Sequence, residues 1–406
     1  MLKKFLFFSA AALSVLLFHS GCVAPEYRLR INWDENSPVV VAALLPLSGN
    51  NKIYAEQMSE GLRCAESFIN NHNGINGRPL RLECIDTAGT AEGTAAALDK
   101  AVKLNAAGII AGYSSEEVSM IVQRSPQLRL PTIIPLATSE EHIQLSPFIY
   151  RNSYSDSQQT AVLSAYLLYW RLLTKGAVFI DPVDSPEYSR SVARNFSQAV
   201  TDSGGTILKT VILPENGDIP HHIIRDTLAT APQFILLPSA GKRAAELLKL
   251  LRKNGFSGII CGPDSWDDDN FINSLTGVET GDCVYTAFFT PENQTAAYLS
   301  FKKEFRERFF HNPGACETQS FDALIFLGIG LSKAENLFDF DKNWRTIRNH
   351  QGAAASYTML KKGDIDRTVY LNTIGIHRGS GKLLPYARLS RQMQYSKIKD
   401  YRIIEE

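Results

Sequence analysis

Short apolar runs alternate with longer amphipathic stretches along the chain from residue 37 onward. The apolar runs predict buried strands over 39–46, 80–86, 108–112 and 132–137. Between them, apolar residues recur at three- and four-residue spacing, which predicts helices over 54–71, 91–105 and 115–128. This alternation is typical of repeated β-α units around a parallel sheet.

The same alternation starts again further along the chain. It predicts strands over 177–180, 206–213, 234–237 and 258–261, with helices over 187–202, 219–230 and 242–253. Two similar α/β lobes explain the restart better than one very wide sheet, and 406 residues exceed what one core usually serves. Later segments predict a strand over 282–289, helices over 291–310 and 318–334, and strands and turns over 354–384. We expect a polar, solvated C-terminal tail over 385–406.

The first twenty-two residues differ in kind from the rest. Lys3 and Lys4 precede an apolar run over 5–18, which is typical of a secretory signal and too short for an ordinary membrane span. Ser20-Gly21-Cys22 resembles the end of a bacterial lipobox, although His19 stands where leucine is usual. We therefore expect 1–22 to be a lipoprotein-type signal peptide and Cys22 to carry a lipid that anchors the exported protein to a bacterial membrane. Ordinary cleavage, or an uncleaved signal, is the alternative.

Composition narrows the function classes. Lys plus Arg and Asp plus Glu both number 42, so there is no basic excess that would indicate nucleic-acid binding. The histidines and cysteines show no zinc-ligand spacing, and we expect neither a metal nor a cofactor. Five cysteines follow the signal, at 64, 84, 261, 283 and 316. Export permits disulfides between 64 and 84 or between 261 and 283, and buried free thiols are the alternative.

Two loops at the carboxyl ends of predicted strands carry hydroxyl and acidic residues, where open α/β sheets bind ligands. Tyr113-Ser114-Ser115-Glu116-Glu117 follows one strand, and Thr138-Ser139-Glu140-Glu141 follows the next. Both contain Ser or Thr three residues before Glu, which predicts a capping box at a helix start. Two such helix starts on one sheet edge would also suit a ligand carboxylate. Both interpretations remain open here.

Several segments together carry a family resemblance. They are Leu45-Pro46-Leu47-Ser48-Gly49, Gly74-Ile75-Asn76-Gly77-Arg78-Pro79-Leu80, Asp86-Thr87-Ala88-Gly89, Ala137-Thr138-Ser139 and Ser155-Asp156-Ser157-Gln158-Gln159. Through them, 38–380 resembles the leucine/isoleucine/valine-type (branched-chain amino acid) binding proteins of bacterial ABC importers, within the type I periplasmic-binding fold. The resemblance implies two mainly parallel lobes with three crossovers, near 154, 286 and 353. Lobe 1 is then 37–154 plus 287–352, and lobe 2 is 155–286 plus 353–384.

The resemblance also implies a ligand site between the lobes. On lobe 1, Ser115 and Thr138 match the positions that contact the ligand carboxylate, and Leu136 supplies a carbonyl toward the ammonium. Tyr54 matches an aromatic residue that flanks the ligand. Each side chain also has an ordinary structural role open to it: Ser115 and Thr138 as helix caps, and Tyr54 as a surface aromatic at a helix start.

On lobe 2, Tyr188 matches a tyrosine that closes over the ligand, and Asp264 matches an acidic residue that pairs with the ammonium. Tyr188 could instead be a surface aromatic, and Asp264 a turn residue after Gly262-Pro263. The run Asp267-Asp268-Asp269 lacks the spacing of a calcium loop, so we expect it to be solvated. Ser239-Ala240-Gly241 stands where relatives often have an aromatic wall.

The implied function is solute capture outside the cytoplasm, with delivery of an amino acid or analogue to an ABC importer and no enzymatic step. Ligand contacts to both lobes would stabilise a closed form. The alternative is an envelope lipoprotein of the same fold that regulates or senses through another envelope protein. The small residues around Ala240 favour that alternative, because they open the pocket. Glu116, Glu140 and Glu141 would repel an anionic ligand if they faced the cleft, which indicates an unusual ligand.

Overall fold

The computed structural model describes residues 28–29, 37–140, 146–183, 185–216, 218–275, 281–379, 382–399 and 402–403. The predicted signal over 1–22 and the predicted lipid site Cys22 lie outside these residues. Within them, no helix combines the length and the apolar character that a membrane span requires.

The first lobe is built on a parallel sheet. In the described part of the chain its strands are β1 (Val39–Leu45), β2 (Leu80–Asp86), β3 (Gly108–Ile110), β4 (Thr132–Ile134) and β5 (Ile149–Arg151), in the order β2-β1-β3-β4-β5. The connecting helices are α1 (Lys52–Asn71), α2 (Ala91–Lys103) and α3 (Ser115–Leu128). All seven residues of β1 are buried, because helices cover both faces of a parallel sheet.

The second lobe begins with α4 (Asp156–Ala165) and is built on a mixed sheet. Its strands are β6 (Lys175–Ile180), β7 (Thr206–Ile212), β8 (Phe234–Leu236), β9 (Ile259–Gly262), β10 (Cys283–Ala287), β11 (His350–Gln351), β12 (Ser356–Met359), β13 (Ile365–Gly379) and β14 (Lys382–Gln394). Strands β6 to β10 are parallel to one another, and β13 joins β10 in antiparallel fashion. The flanking helices are α5 (Pro186–Asp202), α6 (His221–Leu228), α7 (Gly241–Lys253) and α8 (Asp269–Asn273).

Three later helices return to the first lobe: α9 (Ala296–Phe309), α10 (Ala315–Leu331) and α11 (Leu337–Trp344). Helix α10 packs along α1, and Gly61 permits this close approach. A Cβ at Gly61 would lie 2.1 Å from the carbonyl oxygen of Glu317. The segment between α11 and β12 then brings the chain back to the second sheet.

The chain therefore passes between the lobes at three places, and the buried side chain of Arg367 lies where these passages meet. Its guanidinium donates to the carbonyl oxygen of Asn152 at 3.0 Å and to Gln319 Oε1 at 2.7 Å. It also donates to the carbonyl oxygen of Phe288 at 2.5 Å. These contacts tie the first and second passages to α10, and we call this group the hinge network.

The predicted α/β fold class is confirmed, and one boundary requires correction. The tail predicted from 385 onward is wrong for the residues that form β14, since β14 pairs with β13 from Thr368↔Gln394 to Gly379↔Lys382. Met393 is buried against the core. The pairing covers an edge of β13 whose N–H and C=O groups would otherwise lack partners, which the polar composition of the segment did not indicate. Beyond β14 lie two short paired strands, β15 (Ile398–Lys399) and β16 (Arg402–Ile403).

The five cysteines that follow the signal are free thiols. Cys261 and Cys283 lie on the adjacent strands β9 and β10, where Cys261 pairs in register with Val284. Burial raises the pKa of Cys283 to about 11, so this thiol is not poised to react. Neither disulfide considered from the sequence is present.

Candidate functional site

A cavity of about 180 Å³ lies between the lobes, at the carboxyl ends of strands β3, β4, β6, β8 and β9. A cavity of this size has room for one small molecule. All six residues expected to contact a ligand line it: Tyr54, Ser115, Leu136, Thr138, Tyr188 and Asp264. The topology brings them together because parallel strands end at one edge of each sheet.

Two serines at the start of α3 have different positions: Ser114 caps the helix, and Ser115 lines the cavity. Ser114 is the N-cap, and its Oγ accepts from the N–H of Glu117 at 3.3 Å. The Glu117 carboxylate accepts from Thr87 Oγ1 at 2.8 Å and from the N–H of Tyr113 at 3.1 Å. Burial raises the pKa of Glu117, and these hydrogen bonds oppose the rise. Ser115 therefore stands at the first helical position, buried at the cavity wall rather than consumed as a cap.

The second predicted helix start falls largely outside the described residues, within which Thr138 to Glu140 are not helical. Glu140 instead accepts from the N–H and the hydroxyl of Ser157, in the first turn of α4. A carboxylate is favourable there because the first N–H groups of a helix lack partners within it. Thr138 is held through its carbonyl oxygen, which accepts from the N–H of Asp156 at 3.0 Å and from Arg151 Nη1 at 3.2 Å.

Asp264 lies on the second lobe, directly after β9, and two side chains fix it. Tyr188 Oη donates to Asp264 Oδ1 at 2.7 Å, and the N–H of Asp264 donates to Gln159 Oε1 at 3.2 Å. Burial raises the pKa of Asp264 to about 7, the Tyr188 hydrogen bond opposes the rise, and the nearby charge of Asp156 adds to it. A positive group beside Asp264 would favour its ionised form.

Tyr54 makes a contact across the cavity that sequence reasoning missed. Its Oη donates to Asp268 Oδ2 at 2.6 Å, which links α1 of the first lobe to the start of α8 on the second. Its ring stacks on Tyr113 at 5.0 Å between centroids. Asp268 Oδ1 meanwhile accepts from the N–H of Phe271 at 2.9 Å as the N-cap of α8. The sequence indicated this cap only through Asp268 itself, because aspartate is a preferred N-cap residue.

The expectation that 267–269 form a solvated run is therefore wrong for two of its members. Asp267 and Asp268 are partly buried and line the cavity. The tertiary structure turns this segment inward because α8 packs against the second lobe through Phe271, which is fully buried. Hydrophilic composition alone gave no indication of that orientation.

Comparison with known proteins agrees with this architecture. Residues 38–357 match the family model described as periplasmic binding protein. The chain belongs to the periplasmic binding protein family. No curated protein matches it in sequence.

Solved structures with the same fold include several binding proteins. This periplasmic binding protein is similar to a leucine binding protein, LivK, of Thermotoga maritima, with 20% identity and a TM-score of 0.75 over 87% of this chain and 98% of that one. It is also similar to LivJ of Streptococcus pneumoniae in complex with isoleucine, with 16% identity and a TM-score of 0.72 over 87% and 100% of the two chains. A Rhodopseudomonas palustris solute binding protein in complex with 3,4-dihydroxybenzoic acid shares 15% identity, with a TM-score of 0.71 over 88% and 98%.

The cavity of this periplasmic binding protein has several acidic side chains in its lining. Five carboxylates line it: Glu116, Asp181, Asp264, Asp267 and Asp268. Among the described residues that line it, there is no lysine, arginine or histidine. Asp181 has a partner outside the lining, since Arg243 Nε lies 2.9 Å from its Oδ1. The other four carboxylates give the cavity its acidic character.

The loop after β8 forms another part of the cavity wall. Pro238, Ser239 and Ala240 line it, and the carbonyl oxygen of Ser239 accepts from Ser265 Oγ at 3.1 Å. The absence of an aromatic residue from this loop, expected from the sequence, leaves small side chains at the wall. Phe288 and three tyrosines supply the aromatic lining instead.

One group of potential metal ligands lies apart from the cavity lining. Glu60, His311 and Glu317 bring one ligand atom each within 4.8 Å of one another. His311 Nε2 lies 3.0 Å from Glu60 Oε2, and Glu317 Oε2 accepts from the N–H of Gly314 at 3.0 Å at the start of α10. A hydrogen bond between His311 and Glu60 and a helix cap by Glu317 account for this arrangement. Sequence spacing gave no signal for it, because Glu60 and His311 are 251 positions apart.

Proposed function

We propose that this periplasmic binding protein captures an amino acid or a close analogue between its lobes and delivers it to an ABC importer. The observation that carries the proposal is the composition of the cavity walls. Ser115 and Thr138 lie on the first lobe, and Asp264 lies on the second. Hydroxyls beside a helix start suit a carboxylate, and a carboxylate suits an ammonium group.

The first lobe would hold the ligand carboxylate. Ser115 occupies the first position of α3, where free N–H groups and the helix dipole favour negative charge. Thr138 lines the same cavity from the loop after β4, and its carbonyl oxygen accepts a hydrogen bond from Arg151. Leu136 would direct its carbonyl oxygen toward the ammonium group. Tyr54 would flank the ligand, with its ring already fixed on that of Tyr113.

The second lobe would complete the site on closure. Asp264 would pair with the ammonium group, and Tyr188 would cover the ligand while its hydroxyl holds Asp264. Contacts from both lobes to one ligand stabilise the closed form over the open one. The partner that recognises the closed form would be an ABC permease. Binding of this kind requires no covalent step, so we propose that the protein is not an enzyme.

We further propose that the first lobe comprises 37–154 plus 287–352, and that the second comprises 155–286 plus 353–394, which includes β14. The signal over 1–22 and a lipid on Cys22 would place the protein on the outer side of a bacterial membrane, facing the periplasm or the exterior. The lysines and apolar run at the N-terminus, followed by Ser20-Gly21-Cys22, support this proposal.

Thermal unfolding in the presence of an amino acid panel tests the ligand proposal. A ligand at 100 times its dissociation constant should add about 2.7 kcal/mol to the free energy of unfolding. The Asp264→Asn variant should lose the shift and remain folded, whereas Asp226→Asn, at an exposed position of α6, should retain it. Binding that survives in Asp264→Asn would remove the role assigned to Asp264. No response to any amino acid or analogue would favour the alternative, a regulator that acts through another envelope protein, for which the small side chains of Ser239 and Ala240 give some support.

A further inference from the structure

We propose that the end of the first lobe opposite the cavity lies against the membrane that holds the lipid, through an exposed corner formed by Arg28, Lys333, Phe338 and Lys342. We call these four residues the anchor corner. This orientation rests on the proposed lipid at Cys22 and is independent of the identity of the ligand. The observation that carries it is the short stretch of chain between Cys22 and the point where the chain is fixed to the lobe.

The chain is fixed to the first lobe at Arg28 and Leu29, ahead of β1. Arg28 pairs with Asn336 in an antiparallel bridge. The N–H of Leu29 donates to the carbonyl oxygen of Glu335 at 3.3 Å, and the Leu29 side chain is 8% exposed and packs in the core. Main-chain pairing and a buried leucine together hold this point of the chain at the turn between α10 and α11.

That turn is itself held by hydrogen bonds. The N–H of Lys333 donates to Asn76 Oδ1 at 3.0 Å. Asn343 Nδ2 donates to the carbonyl oxygen of Gly330 at 3.1 Å and to that of Ser332 at 2.6 Å. The attachment point therefore belongs to the hydrogen-bonded frame of the first lobe.

The length of the tether limits which end of the lobe can lie near the lipid. Only residues 23–27 separate Cys22 from Arg28. A chain spans at most about 3.6 Å per residue, so Cys22 lies within about 22 Å of Arg28 whatever path the chain takes. Helix α10 has 17 residues, and at about 1.5 Å per residue it is about 25 Å long. Its first residues, Ala315 and Cys316, line the cavity, and its last residue precedes the attachment point. The lipid is therefore tied to the end of the lobe that is opposite the cavity.

The side chains exposed at this end suit a membrane surface. Arg28, Lys333 and Lys342 are exposed, and Phe338, which is 58% exposed, lies about one helical turn before Lys342 on α11. Lysine and arginine attract anionic headgroups, and a phenylalanine ring is favourable at the boundary between headgroups and acyl chains. A short tether also keeps the anchor corner at a high local concentration near the surface, so individually weak contacts suffice.

Nearby carboxylates offset the positive charge only in part. Asp341 pairs with Arg345 at 2.8 Å. Asp339 Oδ2 accepts from Asn336 Nδ2 at 2.7 Å and from the N–H of Glu335 at 3.1 Å. Glu335 is exposed and opposes one cation of the anchor corner. With Arg345 included, the cations at this end outnumber these carboxylates, which favours an anionic lipid surface.

Hydroxyl-radical footprinting of the lipidated protein on vesicles of phosphatidylethanolamine and phosphatidylglycerol tests the orientation. The reference is the chain 23–406 without lipid, mixed with the same vesicles. We expect oxidation of Phe338 to slow at least about fivefold in the lipidated protein, because a ring in the headgroup region loses contact with water. Phe310, which is 90% exposed between α9 and the start of α10, is the internal control. Its oxidation should change less than about twofold, because it lies near the other end of α10.

A longer tether tests whether the short one sets the orientation. Insertion of about twenty Gly and Ser residues between Ala24 and Pro25 allows the lobe to move away from the surface and to turn. Oxidation of Phe338 in the lipidated insertion variant should return to within about twofold of the lipid-free reference.

Charge variants connect the contact to the anchor corner. Lys333→Gln/Lys342→Gln removes two of its cations and should reduce the protection of Phe338 by about half on these anionic vesicles. The matched control is Lys175→Gln/Lys253→Gln, at two exposed positions of the second lobe, which should retain full protection.

The outcomes separate the lipid anchor from the orientation. The intact mass of the purified protein shows whether Cys22 carries a lipid, and its absence would contradict the anchor and the orientation together, without bearing on solute capture. Lipidated protein in which Phe338 is not protected, or is protected no more than Phe310, would overturn the orientation alone. Unchanged protection in the insertion variant, or equal loss in the two charge variants, would also overturn it.

Discussion

At the hinge, a buried arginine is surrounded by acceptors, whereas at the cavity, five carboxylates are among the lining residues and the described lining contains no arginine or lysine. Arg367 is fully buried and donates to carbonyl oxygens and to Gln319 Oε1. Close by, Asp322 accepts from the N–H groups of Ala353 and Ala354 at 2.7 and 2.9 Å. Charges and donors are matched within the protein itself.

Burial raises the pKa of a carboxyl group in both regions, but the neighbouring groups that act on it differ. Burial raises the pKa of Asp322 to about 6, and its backbone hydrogen bonds and the charge of Arg367 oppose the rise. Burial raises the pKa of Asp264 to about 7, where Tyr188 opposes the rise and the carboxylate of Asp156 adds to it. The carboxylate at the hinge thus has a cation nearby, whereas the described lining of the cavity contains no arginine, lysine or histidine.

Removal of the hinge cation should have the largest effect on stability. Arg367→Met leaves the carbonyl oxygens of Asn152 and Phe288 and Gln319 Oε1 without the donor that Arg367 supplies, and it removes a positive charge near Asp322. Each buried acceptor left unsatisfied costs about 1–3 kcal/mol, so we expect a loss of about 3 kcal/mol or more. Chemical denaturation would show this as a lower midpoint. The control is Arg345→Met, which removes a partly exposed pair with Asp341 at 2.8 Å and should cost less than about 1 kcal/mol. Equal midpoints for the two variants would show that the hinge network contributes no special stability.

We expect the opposite at the cavity, where removal of the Asp264 charge should increase the free energy of unfolding near neutral pH. The folded-state pKa of Asp264, about 7, exceeds its ordinary value of 3.8, so the folded state binds the proton more tightly than the unfolded state. The contribution of Asp264 to stability is therefore present below about pH 4 and is lost as pH rises toward 7, by up to about 1.4 kcal/mol per pH unit.

Comparison with Asp264→Asn tests this pH dependence. The ligand-free variant should lose that part of the pH dependence and should be at least as stable as the unaltered protein at pH 7.5. Asp156 on α4 and the phenols of Tyr154 and Tyr188 interact electrostatically with Asp264, so the measurement is the difference between the two stability profiles from pH 4 to pH 8. Parallel profiles would mean that Asp264 does not titrate in this range.

The smallest effect is expected from the hydrogen bond that crosses the cavity. Tyr54→Phe preserves the ring stacked on Tyr113 and removes the donor to Asp268, at a cost of about 1–2 kcal/mol to the closed form. We expect ligand affinity to fall about tenfold and the radius of gyration of the ligand-free protein, measured by X-ray scattering, to increase. Tyr188→Phe is the matched control, because its hydrogen bond lies within one lobe and should not alter the radius. An unchanged radius in Tyr54→Phe would show that this contact does not hold the lobes together.

Much of the fold could be predicted because the spacing of apolar residues within each strand or helix indicates that element without knowledge of distant contacts. The strand predicted over 80–86 and the helix over 115–128 agree with β2 and α3 to the residue, since each forms one buried or one amphipathic segment. The segment that forms β14 could not be predicted in this way. Its polar residues suggested solvent, and only its pairing with β13 made it a strand.

The sequence by itself determined the alternation of strands and helices, and with it the loops at which Ser115, Thr138 and Asp264 would lie. Those placements follow from local apolar spacing and from the rule that parallel strands end at one edge of a sheet. The tertiary structure alone decided that Asp268 faces Tyr54, 214 positions away, and that Arg367 lies where the three passages between the lobes meet. Contacts between distant segments depend on how the lobes pack against each other. The spacing of residues along the chain does not show which distant residues will meet.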